Sequence, residues 1–135
     1  NLGLKTTTHT SNKKIQRDTD IYLVDSYGES SKFYNFTNIT FVGGSIIKHG
    51  GQNPLEPARL GNFIINGPNV SNFKEIYTFL VNHKISSTVN NIKEMEKIIL
   101  KKLNKKNSDQ TRKKIIEIGN DIFEKNLFYI NKYLA

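Results

Sequence analysis

The residues best suited to chemistry lie in one stretch, Gly43 to Glu56, which reads GGSIIKHGGQNPLE. Two glycine pairs, Gly43-Gly44 and Gly50-Gly51, fall within nine positions. Glycines lose much conformational entropy on folding, and a simple turn does not need both pairs. A ligand that requires close backbone approach explains them; a flexible surface loop is the other reading. Glu56 stands three residues after Asn53, the spacing of a capping box. Its carboxylate either closes the start of a helix or accepts hydrogen bonds from a ribose diol, as acidic residues do in nucleotide sites. Pro54 and Pro57 stiffen this first turn, which suits a preorganised site.

A second candidate is Asp25-Ser26-Tyr27-Gly28-Glu29. A glycine between strand and helix lets the backbone approach a ligand, and free N–H groups at a helix start hold phosphate. The same pattern serves as an ordinary turn, with Glu29 as a carboxylate favouring the helix dipole. His9, His49 and His83 are scattered without metal-ligand spacing. His49, in the glycine-rich loop, is either a phosphate contact or a solvated side chain. Walker A, G-x-G-x-x-G and Ser-His-Asp patterns are absent. Lys101-Lys102 and Lys105-Lys106 form a basic cluster without interleaved aromatics, a poor match to nucleic-acid binding.

The elements that must position these residues alternate. A short strand is expected near Leu4 to Thr8, then buried strands at Ile21 to Val24, Ile39 to Val42 and Phe63 to Ile65, with a fourth at Ser86 to Val89. Between them the sequence predicts helices at Glu29 to Phe36, from Asn53-Pro54 to Gly61, and from Ser71 or Asn72 to His83. In the first, Phe33, Tyr34 and Phe36 supply one face. Asn53 is a strong cap, proline is favoured at the first helical position, and glycine ends helices. Phe73, Ile76, Tyr77 and Leu80 form the apolar face of the third helix. A Lys-rich helix from Asn91 to Lys105 follows, then a turn from Asn104 to Asp109. Two terminal helices, Thr111 to Lys125 and Leu127 to Leu134, are expected to pack back over the domain. Strands alternating with helices give an α/β fold, a parallel sheet with helices on both faces. Ligands in such sheets bind beyond the carboxyl ends of the strands, where both candidate loops fall.

The chain has 135 residues, the size of one domain, and a formal net charge of +8. From Lys84 onward there are twelve Lys and Arg against six Asp and Glu, so most of the excess sits there. This basic balance favours an anionic partner, either through solvated helix faces or a surface leaning on anionic lipid. The absence of cysteine excludes disulfides and thiolate metal sites. No apolar run is long enough for a transmembrane helix, and the polar start lacks the apolar core of a signal peptide. The first residue is Asn1, and the chain is expected to be a fragment.

From Asp25 to Phe73 the sequence resembles the C-terminal half of the 3-deoxy-D-manno-octulosonic acid (Kdo) transferases of lipopolysaccharide synthesis. That family shows D-T-M-G-E, then F-V-G-G-S, then G-G-H-N-P-L-E-P-A, then G-P-x-x-x-N-F. The corresponding segments are Asp25 to Glu29, Phe41 to Ser45, Gly50 to Ala58, and Gly67-Pro68 with Asn72-Phe73, in the same order and with fitting spacing. Tyr27 stands where the family has Met, and Gln52 where it has His.

The resemblance implies a GT-B architecture, with residues 1–135 as the Rossmann-like C-terminal domain of a two-domain enzyme. It implies transfer of Kdo from CMP-Kdo to lipid A precursor at the cytoplasmic face of the bacterial inner membrane. CMP contacts are expected from Tyr27, Gly28 and Glu29 and from Asn53, Pro54, Leu55 and Glu56, with Glu56 meeting the ribose. Gly43, Gly44 and Ser45 are the candidate phosphate contacts. A CMP-sugar donor needs no diphosphate metal, so no metal and no cofactor are expected. The catalytic carboxylate and the acceptor site belong to the other domain, so this chain alone is expected to catalyse nothing. Two rivals remain: a basic module binding nucleic acid or anionic membrane, and a GT-B transferase using another nucleotide sugar.

Overall fold

The computed structural model describes residues 2–11, 13–103 and 108–134. Among the described residues five parallel strands form in two ladders. β1 (Thr6–Thr8) pairs with β2 (Ile21–Leu23), Thr6 opposite Ile21. β3 (Ile39–Val42), β4 (Phe63–Asn66) and β5 (Ser86–Thr88) form a sheet in that order, with Ile39 opposite Phe63 and Ile64 opposite Ser86. Five helices alternate with them: α1 (Ser30–Tyr34), α2 (Leu55–Arg59), α3 (Lys74–Asn82), α4 (Ile92–Leu103) and α5 (Ser108–Leu134). The chain divides into two compact units, residues 1–33 and 34–135.

In the larger unit the strand period of two sorts the core. Ile64 of β4 joins Val42, Ala58, Tyr77, Leu80 and Ile85 on one face, with Ile115 of α5 packed against them. Its neighbours Phe63 and Ile65 point the other way, onto Val89, Met95, Ile98 and Ile99. Helices therefore cover both faces, α2, α3 and α5 on one side and α4 on the other. Every residue of β4 is buried, and each isoleucine fully buried there contributes about 1.5–3 kcal/mol. This central strand fixes where β3 and its following loop must lie.

Part of the positive charge of the last third is used internally. The Lys102 ammonium sits 3.8 Å from the centroid of the Phe63 ring. Lys114 Nζ donates to the His83 carbonyl at 2.7 Å, and Arg112 donates to the Leu60 carbonyl at 3.3 Å. These contacts stitch α4 and α5 to the sheet unit.

The structure corrects five expectations. Strand β2 forms but is not buried: Ile21 and Leu23 are exposed and only Tyr22 turns inward, against His9 and Phe33. A two-strand ladder offers too little surface to cover both faces. The first helix is shorter than expected, and Phe36 lies beyond it, exposed. The two terminal helices are one, because Asn126 does not break the helix; its side-chain amide donates to the Ile122 carbonyl at 2.9 Å. Only the first half of α5 packs back, through Ile115; further along, Phe123, Phe128, Tyr133 and Leu134 are exposed. Of the expected turn at 104–109, residues 104–107 lie outside the described residues, and Ser108 and Asp109 already open α5.

Candidate functional site

The loop after β3 is held in one shape by the segment that follows β4. Ser45 is buried; its hydroxyl donates to the Val42 carbonyl at 2.6 Å and accepts the Gly67 N–H at 2.8 Å. The backbones approach so closely that a Cβ on Gly67 would fall 2.3 Å from the Ser45 carbonyl oxygen. Asn69 donates its backbone N–H to that carbonyl at 2.9 Å and its side-chain amide to the Ile46 carbonyl at 2.8 Å. Asn72 donates its N–H to the Gly50 carbonyl at 3.1 Å. The loop closes on itself where the Gly51 N–H meets the Gly44 carbonyl at 3.0 Å.

This geometry decides between the two readings of the glycines. Gly50 and Gly51 adopt φ of 95° and 77°, and a Cβ on Gly50 would collide with the Asn72 side chain at 2.5 Å. They are needed by the loop's own packing, and the loop is pinned. Gly43 is the open member, exposed, with no neighbour within 4 Å of the point a Cβ would occupy. Ser45 has spent its hydroxyl internally, so this turn offers an anion its backbone around Gly43 and Gly44 rather than that side chain.

The loop ends at Gln52, whose carbonyl accepts a 2.9 Å hydrogen bond from the Tyr77 hydroxyl. Tyr77 is 2% exposed, and desolvation pushes its phenol up to about 12. Asn53 Oδ1 then accepts the Leu55 N–H at 3.0 Å, an Asx turn leading into α2, whose N-cap position is Pro54 rather than the expected Asn53. Pro54 and Pro57 are buried beneath it, and Gly61, with φ of 93°, ends the helix as expected. The carboxylate of Glu56 is exposed and makes no hydrogen bond or ion pair with the described residues.

The molecule contains a control for that last observation. Asn91 and Glu94 have the same spacing at the start of α4 and form a capping box whose carboxylate reaches one residue further back than usual. Asn91 Oδ1 accepts the Glu94 N–H at 2.9 Å, and the Glu94 carboxylate accepts the Asn90 N–H at 2.8 Å. The Asn90 backbone bond, with side-chain bonds from Asn90 and Asn91, holds Glu94 below the ordinary carboxylate value. At α2 neither bond of the box is made: Asn53 Oδ1 takes the Leu55 N–H in place of the Glu56 N–H, and the Glu56 carboxylate takes none.

The segment Tyr27 to Glu29 belongs to the smaller unit. Tyr27 is fully exposed, and Gly28 has φ of 80° with open space around it. Glu29 pairs with Lys32 at 2.7 Å, which keeps its carboxyl below the usual value. Asp25, just upstream, accepts the Thr10 hydroxyl at 2.6 Å and N–H at 3.0 Å, and these bonds lower its pKa. Of the histidines, His9 Nδ1 meets the Tyr22 hydroxyl and His83 Nδ1 the Phe79 carbonyl, each at 2.8 Å. His49 packs beside Gly44 and is exposed. Sequence reading placed Tyr77 on an apolar helix face and missed its hold on Gln52. The signal was its hydroxyl, since a buried phenol normally finds a partner.

No protein-family model matches the chain. The 3-deoxy-D-manno-octulosonic acid transferase of Haemophilus influenzae is 35% identical over 120 residues, covering 86% of this chain. The solved C-terminal CMP-Kdo binding domain of WaaA from Acinetobacter baumannii superposes with a TM-score of 0.76 at 27% identity, over 85% of this chain and 61% of that one. The chain is homologous to the Kdo transferases. A bifunctional glycosyltransferase/methyltransferase of Fusobacterium nucleatum is also similar, 37% identical over 79% of this chain and 16% of its own length. The chain spans 27% of the length of the Haemophilus transferase. Its parallel strands alternating with helices, ending in a C-terminal helix, are those of the Rossmann-like C-terminal half of these GT-B transferases. No helix among the described residues is long and apolar enough to cross a membrane.

Proposed function

We propose that residues 1–135 are the donor-nucleotide domain of an enzyme that transfers Kdo from CMP-Kdo to a lipid A precursor. The observation that carries this is the uncommitted Glu56 carboxylate, set at the start of α2 by a pinned loop and by Asn53. A carboxylate so placed accepts the hydroxyls of a ribose. Asn53, Pro54 and Leu55 shape that turn, and the backbone at Gly43 and Gly44 faces the phosphate. Tyr27, Gly28 and Glu29 are carried over as CMP contacts from the resemblance.

In the whole enzyme the domain holds CMP as the leaving group, while the other domain supplies the base and the acceptor site. The isolated chain therefore catalyses no transfer. The proposed setting is the cytoplasmic face of the inner membrane, with the basic C-terminal helices against anionic lipid. Calorimetric titration of the chain with CMP, UDP and GDP tests the donor assignment. Binding of CMP in preference to the other two is expected. Equal or stronger binding of UDP or GDP would assign the domain to another nucleotide sugar.

A further inference from the structure

A groove of about 670 Å3 lies beside α3 in the larger unit. One wall is Lys48 and His49 from the loop after β3, the other Asn69 and Ser71 from the loop after β4, with Lys74 at the start of α3. None of the residues from Asn53 to Glu56 lines it, and no Asp or Glu does. Neither Lys48 nor Lys74 has an ion pair among the described residues.

Two lysine ammonium groups border one groove without a counter-charge, which leaves a positive potential there for an anion. The hydrogen bonds of Asn69 and Asn72 fix the backbone on either side of Lys48 and His49, which keeps both residues at the rim of the groove. The remaining wall is neutral, with Ser71, Asn82 and the second amide proton of Asn69 available to an anion's oxygens; the Thr78 hydroxyl already donates to the Lys74 carbonyl. The volume falls in the range of sites for small organic ligands rather than bare ions.

We infer that this groove binds a phosphate monoester carried on a small organic group, at a place separate from Asn53 to Glu56. Lys48 and Lys74 supply the charge, and the amide and hydroxyl side chains supply orientation. The phosphate comes either from a soluble ester or from a lipid headgroup.

Two arms separate these sources. In the first, the 15N-labelled chain is titrated with glycerol 3-phosphate and followed by NMR. In the second, the chain is co-sedimented with phosphatidylcholine vesicles with and without phosphatidic acid. The soluble source predicts saturable shifts at Lys48, His49, Ser71 and Lys74. The lipid source predicts phosphatidic-acid-dependent sedimentation instead. In either case a Lys48→Gln/Lys74→Gln variant binds about tenfold more weakly, while CMP-induced shifts at Asn53 and Glu56 persist. No response in either arm, or a response unchanged in the variant, overturns the inference. Loss of the CMP shifts alone, with the phosphate response intact, counts against the nucleotide assignment and leaves the groove standing.

Discussion

Two loops follow parallel strands in this chain, and they are built in opposite ways. The loop after β3, leading to Glu56, is gripped along its length by Ser45, Asn69, Asn72 and Tyr77. The loop after β2, from Asp25 to Glu29, leaves Tyr27 fully exposed and Gly28 in open space. The first is held along its length by distant residues; the second is held at its ends, where Asp25 bonds Thr10 and Glu29 pairs with Lys32, and is open between them.

Substitutions that release the held loop test the contrast most strongly. Gly67→Ala drives a Cβ into the Ser45 carbonyl, where neither backbone yields easily. Its stability is expected to fall by about 1–3 kcal/mol or more, seen as a lower thermal midpoint. A Gly28→Ala change meets no such neighbour and strains only its own positive φ.

Glu56→Gln separates binding from scaffolding. With no intramolecular partner to lose, the variant is expected to keep its thermal midpoint and bind CMP about tenfold more weakly. A large loss of stability would mean that the carboxylate serves the helix after all.

Tyr77→Phe removes the Gln52 anchor and is expected to cost about 1 kcal/mol. It also changes the alkaline limb. Folding raises the Tyr77 pKa from 10.0 to about 12 by burial, so the protonated phenol is the form the fold accommodates. That contribution is complete below 10 and is lost as pH rises through the folded value. The phenylalanine variant should lack this component in a denaturation series across that range.

The smallest effect belongs to the open loop. Thr10 lowers the Asp25 pKa below its ordinary 3.8. This contribution is present above 3.8 and is lost as pH falls through the lowered value. Asp25→Asn should remove it, so that the protection of the Thr10 amide, corrected for its intrinsic exchange rate, no longer falls on acidification.

How much of this was legible in the sequence follows from where the forces are local. Ile39 to Val42 and Phe63 to Ile65 were readable because buried parallel strands are nearly continuous apolar runs. Ile21 to Val24 has the same look and yet is not buried, because the pattern does not state how many strands and helices lie alongside. The break expected near Asn126 failed because one asparagine bonding back to Ile122 is tolerated within a helix. The motif order located the Gly43 to Glu56 loop, but not what its glycines do. Gly50 and Gly51 have positive φ and face Asn72 and Val70, about twenty residues further on, and such long-range contacts leave no local period. The identical spacings at Asn53/Glu56 and Asn91/Glu94 show the same limit: one box closes, the other leaves its carboxylate to solvent.

The central claim is that this free carboxylate belongs to a CMP site. The most direct measurement is an NMR titration of the 15N-labelled chain with CMP, following Gly28, Glu29, Asn53 and Glu56. Saturable shifts at Asn53 and Glu56, accompanied by Gly28 and Glu29, are predicted. No shift at Asn53 or Glu56 with millimolar CMP would contradict the account.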